Sequence, residues 1–124
     1  MNVFQLGEFR LHSGSISRLK IEYDNVSDED VKTHAFLISK LVGPFATLEG
    51  IPTGGLRLAR ELEQYKTHGS HLIVDDVLTT GRSMEEARKG RPFITVVGAV
   101  VFARGKYPSW IRPLFRLDPR LWTI

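Results

Sequence analysis

Residues 72–83 read Leu72-Ile73-Val74-Asp75-Asp76-Val77-Leu78-Thr79-Thr80-Gly81-Arg82-Ser83, and this stretch decides the fold. The apolar run from His71 to Val74 predicts a buried strand that delivers two adjacent carboxylates to its end. Thr79-Thr80-Gly81 then turns into a helix expected over about Ser83–Lys89. In open α/β sheets, ligands sit outside the carboxyl ends of the strands, where this composition places acids and hydroxyls. Carboxylates accept hydrogen bonds from vicinal hydroxyls, while turn hydroxyls and amides at a helix N-terminus hold phosphate. The combination suits a sugar phosphate. An aspartate pair alone also caps helices or binds metal at strand ends; the whole string is more particular.

Working outward, Gly50-Ile51-Pro52-Thr53-Gly54-Gly55 follows a short apolar strand at Phe45–Leu48 and precedes a helix expected from about Leu56 to Tyr65. Such a loop can cradle phosphate at a helix N-terminus, and suits an ordinary structural turn equally well. It lacks the lysine–hydroxyl pair of a Walker A loop. An earlier helix is expected from a Ser27 cap, with Asp28, Glu29 and Asp30 in its first turn, to about Val42, where Gly43-Pro44 stops it. Its buried side is expected to hold Val31, Phe36, Leu37, Ile38 and Leu41. The β-branched run Phe93–Ala103 reads as a strand covered on both faces, and Arg112–Leu117 as a shorter last strand. Residues 3–11 and 16–23 read as strands or a hairpin around His12–Ser15. Alternating strands and helices after residue 27 predict an α/β fold with a mostly parallel sheet. One domain is expected over 1–124, with a hairpin at 1–26 and a core at 27–124.

The chain has 124 residues, 42% hydrophobic and 25% charged, which suits one domain. It contains no cysteine, which excludes disulfides, a thiol nucleophile and cysteine-ligated metal. Its four histidines include no HExxH-type spacing. No apolar run approaches the ~20 residues that span a bilayer, and residues 1–10 lack a signal-peptide pattern. A soluble, cytoplasmic protein without membrane partners is therefore expected. The net charge of +3 favours anionic partners. Arg104, Lys106, Arg112, Arg116 and Arg120 interleave with Tyr107, Trp110, Phe115 and Trp122, as in some single-strand nucleic-acid binders. Edge-strand and subunit-interface packing accounts for those aromatics better.

LIVDDVLTTGRS resembles the phosphoribosyl-pyrophosphate (PRPP) signature of the type I phosphoribosyltransferases in both order and spacing. GIPTGG resembles the pyrophosphate loop of the same family. FRLHSGSIS, VVGAVVFARG and IRPLFRL resemble the orotate phosphoribosyltransferases in particular. The resemblance implies the type I fold, a mostly parallel twisted sheet flanked by helices, with a small N-terminal hairpin hood. It also implies PRPP and Mg²⁺ as ligands, and transfer of ribose 5-phosphate to a base with release of pyrophosphate. Asp75 and Asp76 would hold the ribose hydroxyls and Mg²⁺, directly or through PRPP. The 5-phosphate would lie on Thr79, Thr80, Gly81, Arg82 and Ser83, and pyrophosphate on Pro52, Thr53, Gly54 and Gly55. His12, Ser13, Gly14 and Arg104 would meet the base, Arg104 suiting the carboxylate of orotate. A homodimer is implied as well.

Departures from that pattern are also readable. Only residues 56–71 lie between the two loops, which leaves no room for the strand and long basic lid of the orotate enzymes. Lys66-Thr67-His68-Gly69 echoes the lid's Lys-x-His-Gly, so Lys66 and His68 are its candidate catalytic remnants; a plain helix C-terminus is the other reading. His12 replaces a lysine, and Ala103 replaces an aspartate. A second expectation follows: a PRPP- or nucleotide-binding regulatory protein with little or no catalysis.

Overall fold

A computed structural model describes residues 2–11, 14, 16–91 and 94–121. Strands β1 (Phe4–Arg10) and β2 (Ile16–Ile21) form an antiparallel hairpin with a bulge between Leu6 and Phe9. Helix α1 (Asp28–Val42) leads to β3 (Phe45–Gly50), α2 (Gly54–Leu62) and β4 (Ser70–Leu78). Helix α3 (Arg82–Lys89), β5 (Val96–Arg104) and β6 (Ile111–Leu117) follow. Strands β3 to β6 make one parallel sheet in the order β3-β4-β5-β6.

The two central strands, β4 and β5, are buried on both faces because each face is roofed by its own apolar layer. Leu72 and Val74 of β4 pack with Val31, Ala35 and Ile38 of α1 and Leu58 and Leu62 of α2. Ile73 and Val100 face the other way, toward Met84 of α3, Leu78 and Ile111. Gly98 admits this second layer, since a Cβ there would crowd Trp110, Met84 and Ile111.

Helix α1 starts as its sequence dictates: Ser27 Oγ accepts the Asp30 N–H at 3.1 Å, with three acids in the first turn. Its inward stripe differs from expectation. Val31, Ala35 and Ile38 are buried, Leu41 is half-buried, and Phe36 and Leu37 are 45% and 39% exposed. Steps of three and four residues define the stripe, and Phe36 and Leu37 fall outside it. Strand β4 outruns its expected end and carries Asp75 and Asp76 inside the ladder, with Asp75 opposite Val100. Strand β5 begins at Val96; Ile94 and Thr95 are exposed, and Phe93 lies outside the described residues.

Two ties seat the hairpin end on the core. Burial pushes the Tyr23 phenol up and the His34 imidazole down, and the Tyr23 hydroxyl shares a hydrogen bond with His34 Nδ1 at 2.7 Å. Arg57 of α2 donates to the Tyr23 and Val26 carbonyls and pairs with Asp28 at 3.0 Å. Among the described residues, no helix is long and apolar enough to cross a membrane. The aromatics of the C-terminal region are packed in part. Phe115 contacts Phe102 and His34, while the Trp110 indole donates to Glu85 beneath Arg88.

Candidate functional site

The ends of β3 and β4 adjoin because they are parallel neighbours, and each hands its chain directly to a helix. The Ile51 N–H donates to the Val74 carbonyl at 2.9 Å, carrying the pairing one residue beyond β3. The chain then turns through Pro52 and Thr53, joined by a cis peptide bond, into the N-terminus of α2. Two glycines allow this turn to lie against β4. A Cβ on Gly54 would overlap the Asp76 carboxylate, and one on Gly55 would overlap the Val74 carbonyl oxygen. GIPTGG is thus a close-approach turn and a helix N-terminus at once.

After Leu78, Thr79 and Thr80 lead to Gly81, whose φ of 81° is the left-handed conformation that favours glycine. Arg82 opens α3, and its N–H donates to Thr80 Oγ1 at 3.3 Å. Two helix N-termini therefore flank the acid pair, each presenting amides and a positive dipole end. Asp75 Oδ1 accepts the Asp76 N–H at 2.8 Å, and Asp76 Oδ1 accepts the Val77 N–H at 2.7 Å. Burial, reinforced by the neighbouring Asp76, pushes the Asp75 carboxyl from 3.8 up to about 8.

These elements surround a cavity of about 730 Å³, within the range of small-molecule sites. It collects Asp75, Asp76 and the whole 79–83 turn from one side, and Pro52, Thr53 and Gly54 from the other. Gly55 lies beneath, buried against β4. The donor set fits Mg²⁺, which keeps several waters and takes one or two carboxylates beside ligand phosphates. Among the described residues no group of three or more histidines and carboxylates forms a closed metal cage.

The hood closes the cavity with residues that sequence reasoning missed. Glu8, Phe9 and Arg10 of β1, and Lys20 and Glu22 at the end of β2, line it. Two opposite charges at the end of the second hairpin strand could have drawn attention to Lys20 and Glu22; whether they met the cavity depended on how the hairpin docks. Of the residues expected at the base, Gly14 is exposed with φ 90° and does not line the cavity, and His12 and Ser13 lie outside the described residues.

Arg104 does line the cavity, but its guanidinium is engaged with the hood. Nη2 donates to Ser17 Oγ and to the Leu19 carbonyl, both at 2.6 Å, and Arg104 is only 6% exposed. It fastens the end of β5 to β2 and so fixes the height of the hood. Arg104→Met is expected to cost about 1–3 kcal/mol in urea unfolding, because buried acceptors lose a charged donor; Arg104→Lys should restore part of it.

Lys66 and His68 are not brought to the cavity of their own chain. Both are exposed and precede β4, at the end of the strand opposite Asp75. Ser70 and Asp75 alone are separated by roughly 16 Å of strand at ~3.3 Å per residue. Lys66 pairs with Glu63 at 2.9 Å, and the Thr67 N–H donates to the Phe45 carbonyl, which fits a basic helix end held at the foot of the sheet.

No family model matches the sequence, and no curated protein does. Solved structures do match in fold. Orotate phosphoribosyltransferase from Aeropyrum pernix superposes with a TM-score of 0.78 at 20% identity, over 96% of this chain and 91% of that one. The Mycobacterium tuberculosis H37Rv orotate phosphoribosyltransferase in complex with inorganic phosphate gives 0.72 at 16% identity, over 93% and 89%. A hypothetical protein from Neisseria gonorrhoeae with bound ppGpp gives 0.52 at 17% identity, over 91% and 82%. The four-stranded parallel sheet, its flanking helices and the antiparallel N-terminal hairpin thus make this chain a shortened version of the type I phosphoribosyltransferase fold, similar to the orotate phosphoribosyltransferases.

Proposed function

We propose that the cavity binds PRPP with Mg²⁺ and that the protein transfers ribose 5-phosphate to a nucleobase, releasing pyrophosphate. One observation carries this reading: an acid pair stands between two helix N-termini in a single cavity. Asp75 and Asp76 accept hydrogen bonds from the ribose 2- and 3-hydroxyls. The 5-phosphate rests on Thr79–Ser83 at the start of α3, with Arg82 available to it, and pyrophosphate on Pro52–Gly55 at the start of α2. Bound Mg²⁺ would neutralise phosphate charge beside the carboxylates. The bond from ribose C1 to pyrophosphate breaks as a base nitrogen bonds to C1. Positive charge grows on the sugar and negative charge on the leaving group, so fixed dipoles aimed at the pyrophosphate stabilise the transition state. Resemblance to the orotate enzymes favours orotate as the base.

A second reading, a PRPP- or nucleotide-binding regulator, is favoured by the position of Lys66 and His68 away from the cavity. The Neisseria neighbour, with bound ppGpp, supports nucleotide binding by this fold without requiring transfer. Calorimetry with PRPP and Mg²⁺, run beside a pyrophosphate-release screen, separates the two. Release with orotate, uracil, hypoxanthine, guanine, adenine or xanthine supports the transferase, and binding without turnover supports the regulator. Failure of PRPP to bind removes the transferase, and failure of nucleotides such as UMP, IMP and ppGpp to bind as well removes the regulator. We also read the protein as cytoplasmic, and as a homodimer because Phe4, Leu6, Phe115 and Leu121 are 45–87% exposed. Light scattering tests this, and a monomer mass at working concentration overturns it.

A further inference from the structure

We infer that Lys20 and Glu22 of the hood together select the base, by reading a lactam edge in which a ring carbonyl adjoins a ring N–H. This rests on the reading of the cavity as a PRPP site. Lys20 closes β2 next to Ile21, Glu22 follows the strand directly, and all three residues line the cavity. Lys20 Nζ lies 3.2 Å from Glu22 Oε1, with side-chain exposures of 43% and 35%. The pair lies within one short segment and joins no two elements of the fold. An ion pair this exposed adds little to stability, so its position in the cavity wall is left without a structural purpose.

Its chemistry is specific. An ammonium only donates hydrogen bonds and a carboxylate only accepts them. Standing side by side, they present a donor next to an acceptor at the spacing of adjacent ring substituents. A lactam edge is the complement: its carbonyl oxygen accepts from Lys20 and its N–H donates to Glu22. Phe9, whose ring lies 5.8 Å from Lys20 Nζ, lines the same cavity and offers a face on which a planar base can stack. Uracil, orotate, hypoxanthine, guanine and xanthine carry this edge. Adenine and cytosine present the reverse order, an exocyclic amine beside an acceptor nitrogen. To use the pair they must turn over, which takes the reacting nitrogen away from ribose C1.

The test uses two pairs of nucleotides whose members differ chiefly at that edge, UMP with CMP and IMP with AMP, titrated calorimetrically into the full chain. PRPP with Mg²⁺ is titrated in parallel. UMP and IMP are expected to bind at least about tenfold tighter than CMP and AMP, the scale of losing charged hydrogen bonds. In the Lys20→Met/Glu22→Leu double variant the preference should vanish while PRPP affinity stays unchanged. Equal affinities within both pairs in the wild type, with PRPP still bound, overturn the inference. So does a double variant that keeps the preference. Should the double variant lose PRPP as well, Glu22→Gln carries the test, and an unchanged UMP-to-CMP ratio in it overturns the inference. If wild-type protein fails to bind PRPP, the reading of the cavity falls instead.

Discussion

Replacing Asp75 with asparagine is expected to raise the melting temperature of the unliganded protein near pH 8 while removing its Mg²⁺-dependent affinity for PRPP. The Asp75 carboxyl is raised from 3.8 to about 8, chiefly by burial and secondly by Asp76. Below 3.8 it is protonated in folded and unfolded chains alike and adds no penalty. As pH rises from there toward 8, the unfolded chain ionises it while the folded chain holds the proton, so stability falls. Above 8 both forms are ionised and the loss is complete. An amide stays neutral throughout and can still accept the Asp76 N–H through its oxygen. The gain is on the order of a few kcal/mol, or roughly 5–10 °C for a domain of this size. Thermal melts of wild type and Asp75→Asn at pH 4 and pH 8 check it: curves that coincide at acid pH should separate at pH 8. Equal separation at both pH values removes the titration argument. Binding runs the opposite way. A divalent cation and ribose hydroxyls favour the ionised pair, so wild-type affinity for PRPP should climb between pH 6 and 8, and Asp75→Asn should lose about a hundredfold or more.

The two neighbouring glycines at the start of α2 are expected to separate stability from binding. Gly55→Ala drives a methyl group into the Val74 carbonyl, a backbone atom at the centre of the sheet, and 3.2 Å from Asp75 Cα. Backbone must shift, at a cost of about 1–3 kcal/mol or more in urea unfolding. In Gly54→Ala the nearest obstacle is the Asp76 carboxylate, a side chain that can rotate away. It should leave the unfolding midpoint closer to wild type and weaken PRPP binding by about tenfold or more, since a displaced carboxylate no longer meets the ribose. Should Gly54→Ala destabilise as strongly as Gly55→Ala and leave binding intact, the arrangement of this loop over β4 is wrong.

What was legible in the sequence was what is local. An apolar strand, two acids and a hydroxyl-rich turn occupy consecutive residues, and 72–83 fold in the order read, with the strand running on to Leu78, because each step is set by its neighbours. Ser27 capped α1 for the same reason. Readings that needed a partner elsewhere fared differently. Phe36 and Leu37 were assigned to a core whose direction is fixed by the sheet under α1, and they face outward. Arg104 was read against a ligand, yet its guanidinium is engaged by Ser17 and Leu19 of the hood, which lie far earlier in the chain. Lys66 and His68 looked catalytic by pattern, but the helix before them and the strand after them hold that segment at the foot of the sheet. Lys20 and Glu22 went unread because a hairpin's two faces look alike until it is docked.

The order of the sheet has a consequence for how the molecule is made. From β3 onward, each strand pairs with the one synthesised just before it, so the sheet can extend as the chain emerges, without waiting for distant segments. The hood is different. It is synthesised first, yet its anchor, Arg104, comes 87 residues after Ser17. The cavity is therefore complete only once β5 has been made, and a nascent chain halted before β5 should hold a hairpin that lacks this anchor. Proteolysis of stalled chains would show it: cleavage within residues 16–22 should persist until Arg104 has left the ribosome, and early protection there would contradict this order of assembly.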